Sequence, residues 1–251
     1  MYMAKECLLL LPTLNEEEAL QALAREIPQE FDVLVVDGGS TDRTREVAGK
    51  LGYAFVPQCF GRGKGCGVRT GMERFLASGY RYLAMIDADY TNDPRELTRL
   101  VATLAKGADI VLGSRDRQLQ YRLLGWFSLF INTSTSGLTS LAYRTELPDI
   151  QTGYWTFNRK AVETLYPHLK ASGFEIEYDM VYNAWKEGLR MTQVPVTFRH
   201  RLGESKFTRY LRLKQIYHGL TYVYWSLLIM ARRRLARLRA GAETDGSGLS
   251  R

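Results

Sequence analysis

Short apolar runs alternate with amphipathic segments along the first half of the chain. The apolar runs predict buried strands, at residues 7–11, 31–36, 54–57, 82–86 and 110–113. The segments between them predict helices at residues 16–26, 43–51 and 94–106, and a glycine-rich turn at 61–67 opens a further helix that runs to residue 78; Asn15 is the expected N-cap of the helix at 16–26. Strands that alternate with helices in this way predict an α/β fold with a mostly parallel sheet and helices on both faces.

The second half of the chain is less regular. It predicts strands at 152–158 and 191–199 and helices at 159–166 and 176–187. Residues 123–143 lack charge but are rich in Ser, Thr and Asn, and the apolar residues 215–231 fall short of the about 20 that a membrane span needs. We therefore expect no transmembrane helix. The predicted organisation is one α/β domain over 1–214, an amphipathic helix over 215–240 and a disordered tail over 241–251.

Polar clusters follow several of the predicted strands at the point where each strand ends. These clusters are residues 12–16, 37–42, 87–91 and 113–117. Ligands of open α/β sheets bind outside the carboxyl ends of the strands, where such clusters meet. The convergence of four clusters at one edge therefore predicts the functional site.

The fourth strand ends at two carboxylates, Asp87 and Asp89, separated by one small residue. Side chains at this spacing share one face of a strand, so the two acids are expected to lie close together. A cation between them would relieve their repulsion, and oxygen ligands suit Mg²⁺ or Mn²⁺. The same residues also suit a strand that leads through a turn into a helix, with Asn92 or Asp93 as the cap and Pro94 in the first turn.

Composition and charge narrow the class of protein. The chain has 251 residues, a net charge of +7 and the hydrophobic content of an ordinary globular protein. The positive charge indicates an anionic partner. Three cysteines and three scattered histidines provide neither a disulfide framework nor a zinc site, and the N-terminus lacks the basic segment of a signal peptide.

Seven motifs occur in an order that resembles family 2 glycosyltransferases of the GT-A fold, over about residues 7–210. They are Pro12-Thr13-Leu14-Asn15-Glu16, Val36-Asp37-Gly38-Gly39-Ser40-Thr41-Asp42, Gly63-Lys64-Gly65, Asp87-Ala88-Asp89, Gly113-Ser114-Arg115, Gln151-Thr152-Gly153-Tyr154 and Arg201-Leu202-Gly203-Glu204-Ser205-Lys206. Within this superfamily the chain is most similar to the polyprenyl-phosphate branch, which includes dolichol-phosphate mannose synthases.

The resemblance implies a nucleotide-sugar donor and a set of donor-binding residues. They are Pro12, Thr13, Asn15, Glu16, Asp37, Gly39, Lys64, Asp87, Ala88 and Asp89. Asp37 matches the acid that accepts hydrogen bonds from the base, although the family more often has a second acid where this chain has Gly38. Asp89 matches the metal ligand, and Asp87 lies nearer the ribose or sugar. Thr91 replaces a Gln of the mannose synthases and is a shorter, poorer ligand for the Mg²⁺ or Mn²⁺.

The resemblance also implies an acceptor site made of basic and polar side chains. These are Arg115, Arg117, Arg122, Gln151, Arg201, Ser205 and Lys206. A lipid monophosphate has its second pKa near ~6 and needs positive groups more than a base. A hydroxyl acceptor would need a carboxylate base, for which Glu177 and Asp179 are the candidates; otherwise these acids orient other groups.

The C-terminal segment suggests that the chain binds its acceptor at a membrane surface. Aromatic residues between 217 and 225 precede the basic residues 232–234. Aromatic and basic side chains together suit the headgroup zone of an anionic membrane, so this helix is expected to lie on the membrane surface or to form a homo-oligomer contact. In the uncharged stretch, four apolar side chains would face either lipid or the core: Trp126, Phe127, Phe130 and Ile131.

The sequence therefore predicts a metal-dependent, inverting glycosyltransferase that moves a hexose from a nucleotide-sugar to a polyprenyl phosphate. We expect it in the cytoplasm, peripheral on the inner face of the cell membrane, with a hydroxyl acceptor as the alternative. An NAD(P) oxidoreductase would carry GxGxxG directly after the first strand, where Pro12 begins a different motif. A nucleic-acid-binding module would not explain acids at the strand ends, so we expect no nucleic-acid partner.

Overall fold

The computed structural model describes most of the chain. The described residues are 6–29, 31–202, 220, 223–224, 226–227, 229–231 and 234. Ser205, Lys206 and the tail at 241–251 lie outside them, and the predicted helix at 215–240 is described only at the positions just given. Those positions are helical.

The described residues form one seven-stranded sheet with the order β3-β2-β1-β4-β6-β5-β7. The strands are β1 (Cys7–Thr13), β2 (Asp32–Asp37), β3 (Ala54–Pro57), β4 (Tyr82–Met85), β5 (Ile110–Arg115), β6 (Trp155–Asn158) and β7 (Met191–Val196). Adjacent pairs are parallel except where β6 runs antiparallel to both β4 and β5. The predicted mostly parallel sheet is therefore confirmed.

Helices cover both faces of the sheet, as the sequence predicts. They are α1 (Glu17–Ala24), α2 (Thr44–Lys50), α3 (Lys64–Leu76), α4 (Leu97–Leu104), α5 (Arg117–Tyr143), α6 (Arg159–Leu165) and α7 (Ile176–Lys186). Alternate side chains of β1 enter different layers of the core: Leu8 and Leu10 pack with residues of α3, α6 and α7, and Leu9 and Leu11 with residues of α1, α2 and α4. A strand that is apolar on both faces is thus explained by two helical layers.

The start of α1 corrects one prediction. Asn15 does not cap this helix, because the N-cap position is Glu16, whose own side chain makes no capping hydrogen bond. Asn15 instead adopts a left-handed conformation with φ of 51°, and its side-chain oxygen accepts a hydrogen bond from the Thr41 amide. It therefore joins the loop after β1 to the loop after β2. Asp93, by contrast, accepts from the Arg95 amide and caps the short 3₁₀ turn before α4, as predicted.

The uncharged segment after β5 forms the long helix α5, which the sequence pattern did not predict. Asp116 caps the helix through the Leu119 amide, and Gly125, with φ of 81°, interrupts it with a kink. Buried Ser, Thr and Asn side chains bond within the helix or to neighbouring segments, as Asn132 does to Gln120. Ser226 lies against α5, with its hydroxyl 3.4 Å from that of Thr139. Across the residues described above, no helix combines the length and apolar character needed to cross a membrane.

Candidate active site

The carboxyl ends of β1, β2, β4 and β5 meet at one edge of the sheet, which we call the carboxyl edge. The antiparallel strand β6 brings residues 151–153 to this edge, because its first residue lies where its neighbours end. The Asp87 amide donates to the carbonyl of Gly153 across this junction, at 3.2 Å. The four polar clusters expected from the sequence therefore share one edge with a fifth segment.

Asp87 is held between a lysine and a glycine. One carboxylate oxygen, Oδ1, lies 2.7 Å from Nζ of Lys64. The other oxygen, Oδ2, lies against Gly153 so closely that a Cβ at that position would overlap it. Only glycine leaves room for this carboxylate orientation, which explains the glycine in the segment before β6.

For the glycosyl transfer that the sequence resemblance implies, replacement of Gly153 by Ala is expected to reduce kcat/KM by about 100-fold, since displacement of a reacting group by about 1 Å costs that much. The backbone of Gly153 does not need a positive φ, so the effect comes from the displaced Asp87 carboxylate. Steady-state kinetics measures the loss. Gly137→Ala in α5 meets open space and is the matched control, with unchanged activity. Equal activity of the two variants would show that the position of Asp87 is unimportant.

Asp89 is held by its own turn and by an arginine from beyond β7. Its Oδ1 accepts from the amide and the hydroxyl of Thr91, at 3.1 and 2.6 Å. Its Oδ2 lies 3.1 Å from Nη1 of Arg201, whose Nη2 lies 2.6 Å from Oε1 of the buried Glu16. Thr91 therefore orients Asp89 in this structure, and Arg201 joins the segments after β1 and β4.

Lys64 forms a second ion pair, with Glu177 of α7. Its Nζ lies 2.7 Å from Oε1 of Glu177, and both side chains are only 8% exposed. Gly63 and Gly65 make this possible, since a Cβ at either position would overlap the backbone of the 171–172 loop that leads to α7. The glycine-rich turn thus serves close docking of α7 against the start of α3.

The charges of this cluster shift its proton equilibria. Burial disfavours the charge of Lys64, but the carboxylates of Asp87 and Glu177 outweigh burial and raise its pKa above the ordinary value. Burial raises the pKa of Glu177 to about 7, against the opposing effect of the Lys64 ammonium. Lys64 is therefore a permanent cation at neutral pH, beside an acid that titrates there.

The loop after β2 is shaped by Asp37. Its carboxylate accepts from the amides of Gly39 and Ser40 and from the Ser40 hydroxyl. Gly39 has φ of 96°, a conformation that glycine adopts without strain. Thr13 is buried beside this loop, and Ala88 is buried in the Asp87–Asp89 turn. Pro12, in β1, is half-buried. All the predicted donor-binding residues except Lys64 lie in these carboxyl-edge segments.

Arg115 is engaged by an acid that the sequence analysis did not single out. Its guanidinium forms two bonds with the buried Asp149, at 2.7 and 2.8 Å, and a third with the carbonyl of Gln151. Arg117 and Arg122, by contrast, are exposed on the first turns of α5. The three predicted acceptor arginines that follow β5 therefore divide into one that braces residues 149–151 and two that face solvent.

Asp179 orients a loop. Its Oδ2 accepts from the amides of Lys170 and Ala171, at 2.8 and 3.0 Å, and its Oδ1 accepts from Asn183. These bonds hold the loop that docks on the start of α3. The arrangement supports the orienting role for Asp179 instead of that of a base.

Arg199 joins the Asp87–Asp89 turn to the segment after β7, and sequence analysis missed it. Its guanidinium pairs with Glu26, at 2.8 Å, and with Asp93, while its amide donates to the carbonyl of Thr91. The hydroxyl of Tyr90 donates to the same Glu26. Nothing in the local pattern signals this cluster, because its members come from three segments that are distant in sequence.

The acids at the carboxyl edge fit a divalent cation in type and in number. Asp87 and Asp89 supply oxygen ligands, which suit Mg²⁺ or Mn²⁺, and both are partly exposed. Among the residues with described positions, no group of three or more His, Cys, Asp or Glu could hold a metal alone. Mg²⁺ commonly binds through one or two carboxylates together with substrate phosphates, so two acids at an open edge are sufficient.

This sheet, with its acids at the carboxyl edge, has the architecture of the GT-A fold. The fold is similar to that of glucosyl-3-phosphoglycerate synthase from Mycobacterium tuberculosis, solved with Mn²⁺ and uridine-diphosphate-glucose. The TM-score is 0.65 at 21% identity, over 88% of this chain and 81% of that chain.

The family model described as glycosyl transferase family 2 matches residues 9–166, and the chain belongs to that family. Relatives include glycosyltransferase AglJ from Haloferax volcanii, 32% identical over 77% of this chain; the chain spans 63% of AglJ. Polyprenol monophosphomannose synthase from Mycolicibacterium smegmatis is 29% identical over 80% of each chain. Undecaprenyl-phosphate mannosyltransferase from Micrococcus luteus is 30% identical over 80% of this chain and 87% of its own. The predicted family and branch are confirmed.

Proposed function

We propose that this chain is an inverting, metal-dependent hexosyltransferase that uses a nucleotide-sugar donor and a polyprenyl-phosphate acceptor. The names of the two mannosyltransferase relatives support the lipid phosphate, and the donor of the structural neighbour supports a nucleoside diphosphate sugar. The main support for a phosphate acceptor is the hydrogen bonding and burial of Glu177 and Asp179, the two acids that a hydroxyl acceptor would need as bases.

Neither candidate base is available to deprotonate a hydroxyl. Both carboxylate oxygens of Asp179 accept hydrogen bonds, one from the amides of the loop at 170–171 and the other from Asn183. Glu177 has a pKa of about 7, which suits a base, but it is buried and bound to Lys64. A phosphate acceptor needs no base because it is already largely dianionic at neutral pH. The geometry therefore favours an acceptor that arrives ionised.

The reaction is a single displacement at the anomeric carbon. A phosphate oxygen of the acceptor forms the new C–O bond while the bond to the nucleoside diphosphate breaks, and the bonding electrons leave with the diphosphate. When bound, Mg²⁺ or Mn²⁺ at Asp87 and Asp89 supplies Lewis-acid stabilisation of that leaving charge. Lys64 and Arg201 place fixed positive charge at the same edge, and the exposed Arg117 and Arg122 are positioned to attract the acceptor phosphate.

The acceptor assay tests the proposal directly. The purified chain is incubated with Mn²⁺, a panel of GDP- and UDP-linked hexoses, and either a polyprenyl phosphate or the matching free polyprenol. We expect a glycolipid product only with the phosphorylated lipid. Product from the free alcohol alone would overturn the lipid-phosphate assignment and restore Glu177 as the candidate base.

We also propose that the start of α5 contacts an anionic membrane surface on the cytoplasmic side. Trp126 and Phe130 are 69% and 61% exposed, and the exposed Arg117 and Arg122 precede them in α5, on the other side of the kink at Gly125. Large aromatic rings beside basic groups suit the headgroup zone, where the lipid acceptor also lies. Among the described residues of the C-terminal helix, Tyr224 is also exposed.

Replacement of Trp126 and Phe130 by Ser is expected to weaken binding to vesicles that contain anionic lipid. Each ring removed costs about tenfold in affinity, since burial of a large apolar side chain is worth about 1.5–3 kcal/mol. Vesicle sedimentation measures this loss, and Leu51→Ser, at an exposed position on α2, is the control. Unchanged vesicle binding together with a halved molecular mass in light scattering would assign this surface to a homo-oligomer.

A further inference from the structure

Both acids that fit the metal are occupied by cations of the chain itself. Lys64 bridges Asp87 and Glu177, with 2.7 Å to each carboxylate. Arg201 bridges Asp89 and Glu16, at 3.1 and 2.6 Å. Each candidate metal ligand thus has an internal counter-ion, and each counter-ion has a second carboxylate that is nearly fully buried.

We propose that Lys64 and Arg201 are exchangeable counter-ions, which neutralise Asp87 and Asp89 until a divalent cation arrives and then transfer to Glu177, Glu16 and the diphosphate of the donor. The inference rests on the proposed function of the same site. It assigns Glu177 and Glu16 as positioning residues that retain the two cations during the exchange.

The second carboxylates make the exchange feasible. A divalent cation at Asp87 and Asp89 repels Lys64 and Arg201, because like charges at this range are strongly unfavourable. A buried cation left without any partner would be costly, but Glu177 and Glu16 remain paired with the displaced cations. Asp87 and Asp89 are also partly exposed, so an incoming metal can reach them while the two cations keep their buried carboxylates.

The hydrogen-bond donors that Arg201 and Lys64 do not use in their ion pairs indicate which group binds the displaced cations. Nε of Arg201 is buried and has no acceptor among the described residues. An ammonium has three donors, of which Lys64 directs two at Asp87 and Glu177. Oxygens of a nucleoside diphosphate at the carboxyl edge would accept these donors. The diphosphate therefore neutralises Lys64 and Arg201 after the metal has displaced them from Asp87 and Asp89.

Metal binding and nucleotide binding are consequently coupled through the chain's own side chains. Metal alone displaces two cations before a diphosphate is present to accept their remaining donors, and nucleotide alone meets two cations that are still held by Asp87 and Asp89. Couplings of this kind are typically about 5–150-fold, and they are reciprocal. Because nucleotide also ligates metal directly, synergy in the wild type is not diagnostic, and the test uses variants with metal alone.

The test measures Mn²⁺ binding without nucleotide, by calorimetry or by the electron paramagnetic resonance signal of free Mn²⁺. Lys64→Met removes the competing cation, so we expect Mn²⁺ to bind about tenfold more tightly than in the wild type. Glu177→Gln keeps Lys64 but leaves Asp87 as its only charged partner, so Mn²⁺ should bind more weakly. Lys160→Met removes the same charge beside Asp109, at the opposite edge of the sheet, and should change nothing.

The variants separate this inference from the proposed function. If the wild type binds Mn²⁺ and nucleoside diphosphate but Lys64→Met binds Mn²⁺ no more tightly, the exchange is overturned and the function stands. If the wild type binds neither ligand, both are overturned. Should Lys64→Met fail to fold, the isosteric Glu177→Gln decides, and affinity equal to or above that of the wild type contradicts the exchange.

Discussion

Asp89→Asn is expected to lower kcat for hexose transfer by about 10²–10³-fold, the usual cost of losing one group that stabilises developing charge. The amide keeps the shape of the side chain and can still accept from Thr91, but it lacks the charge that binds a divalent cation and Arg201. Steady-state kinetics measures the rate, and thermal unfolding with and without Mn²⁺ measures the loss of metal-dependent stabilisation.

Asp32→Asn is the control for this variant. Asp32 begins β2 at the opposite edge of the sheet, and its carboxylate accepts a hydrogen bond from the hydroxyl of Tyr80. The amide oxygen of Asn can accept the same hydrogen bond. We expect wild-type activity from it. An Asp89→Asn enzyme as active as this control would contradict the assignment of Asp89 as a ligand of the metal.

The largest expected effect on stability is that of Asp149→Ala. Arg115 is 11% exposed and Asp149 1% exposed, so removal of the acid leaves a buried guanidinium without its charged partner. Loss of one member of a buried ion pair typically costs about 3–5 kcal/mol, and we expect the free energy of unfolding to fall by that amount. Urea unfolding, monitored by far-UV circular dichroism, measures it.

A surface ion pair gives a reference value for the loss of unfolding free energy expected from Asp149→Ala. Glu163 is 57% exposed and lies 3.7 Å from Arg159 one helical turn away, so Glu163→Ala should cost less than about 1 kcal/mol. Similar losses in the two variants would mean that Arg115 finds another partner or reaches water. In that case Arg115 would be free to bind an acceptor phosphate, as the family resemblance implies.

Local pattern was sufficient to predict the first half of the fold. Each strand from β1 to β5 ends at or within a few residues of its predicted end, because apolar runs and turn residues are local properties. The position of Asp87 and Asp89 at the carboxyl edge followed from the parallel sheet. The antiparallel direction of β6 was not predictable in the same way, since strand direction depends on contacts with β4 and β5 that are distant in sequence.

The partners of the site residues were beyond sequence analysis. The ion pair between Lys64 and Glu177 depends on how closely the 171–172 loop packs on Gly63 and Gly65, which only three-dimensional packing determines. Helix α5 was missed because its Ser, Thr and Asn residues are weak helix formers, and burial of their hydroxyls and amides against neighbouring segments stabilises it instead. Motifs thus located the site, and long-range contacts set its electrostatics.

A crystal grown with Mn²⁺ and a nucleoside diphosphate would show whether Asp87 and Asp89 bind the metal. Anomalous scattering identifies the ion independently of its surroundings. We expect an anomalous peak in contact with a carboxylate of Asp87 or Asp89 and with oxygens of the diphosphate. A bound nucleotide with no such peak, while Lys64 and Arg201 still hold both acids, would contradict this expectation.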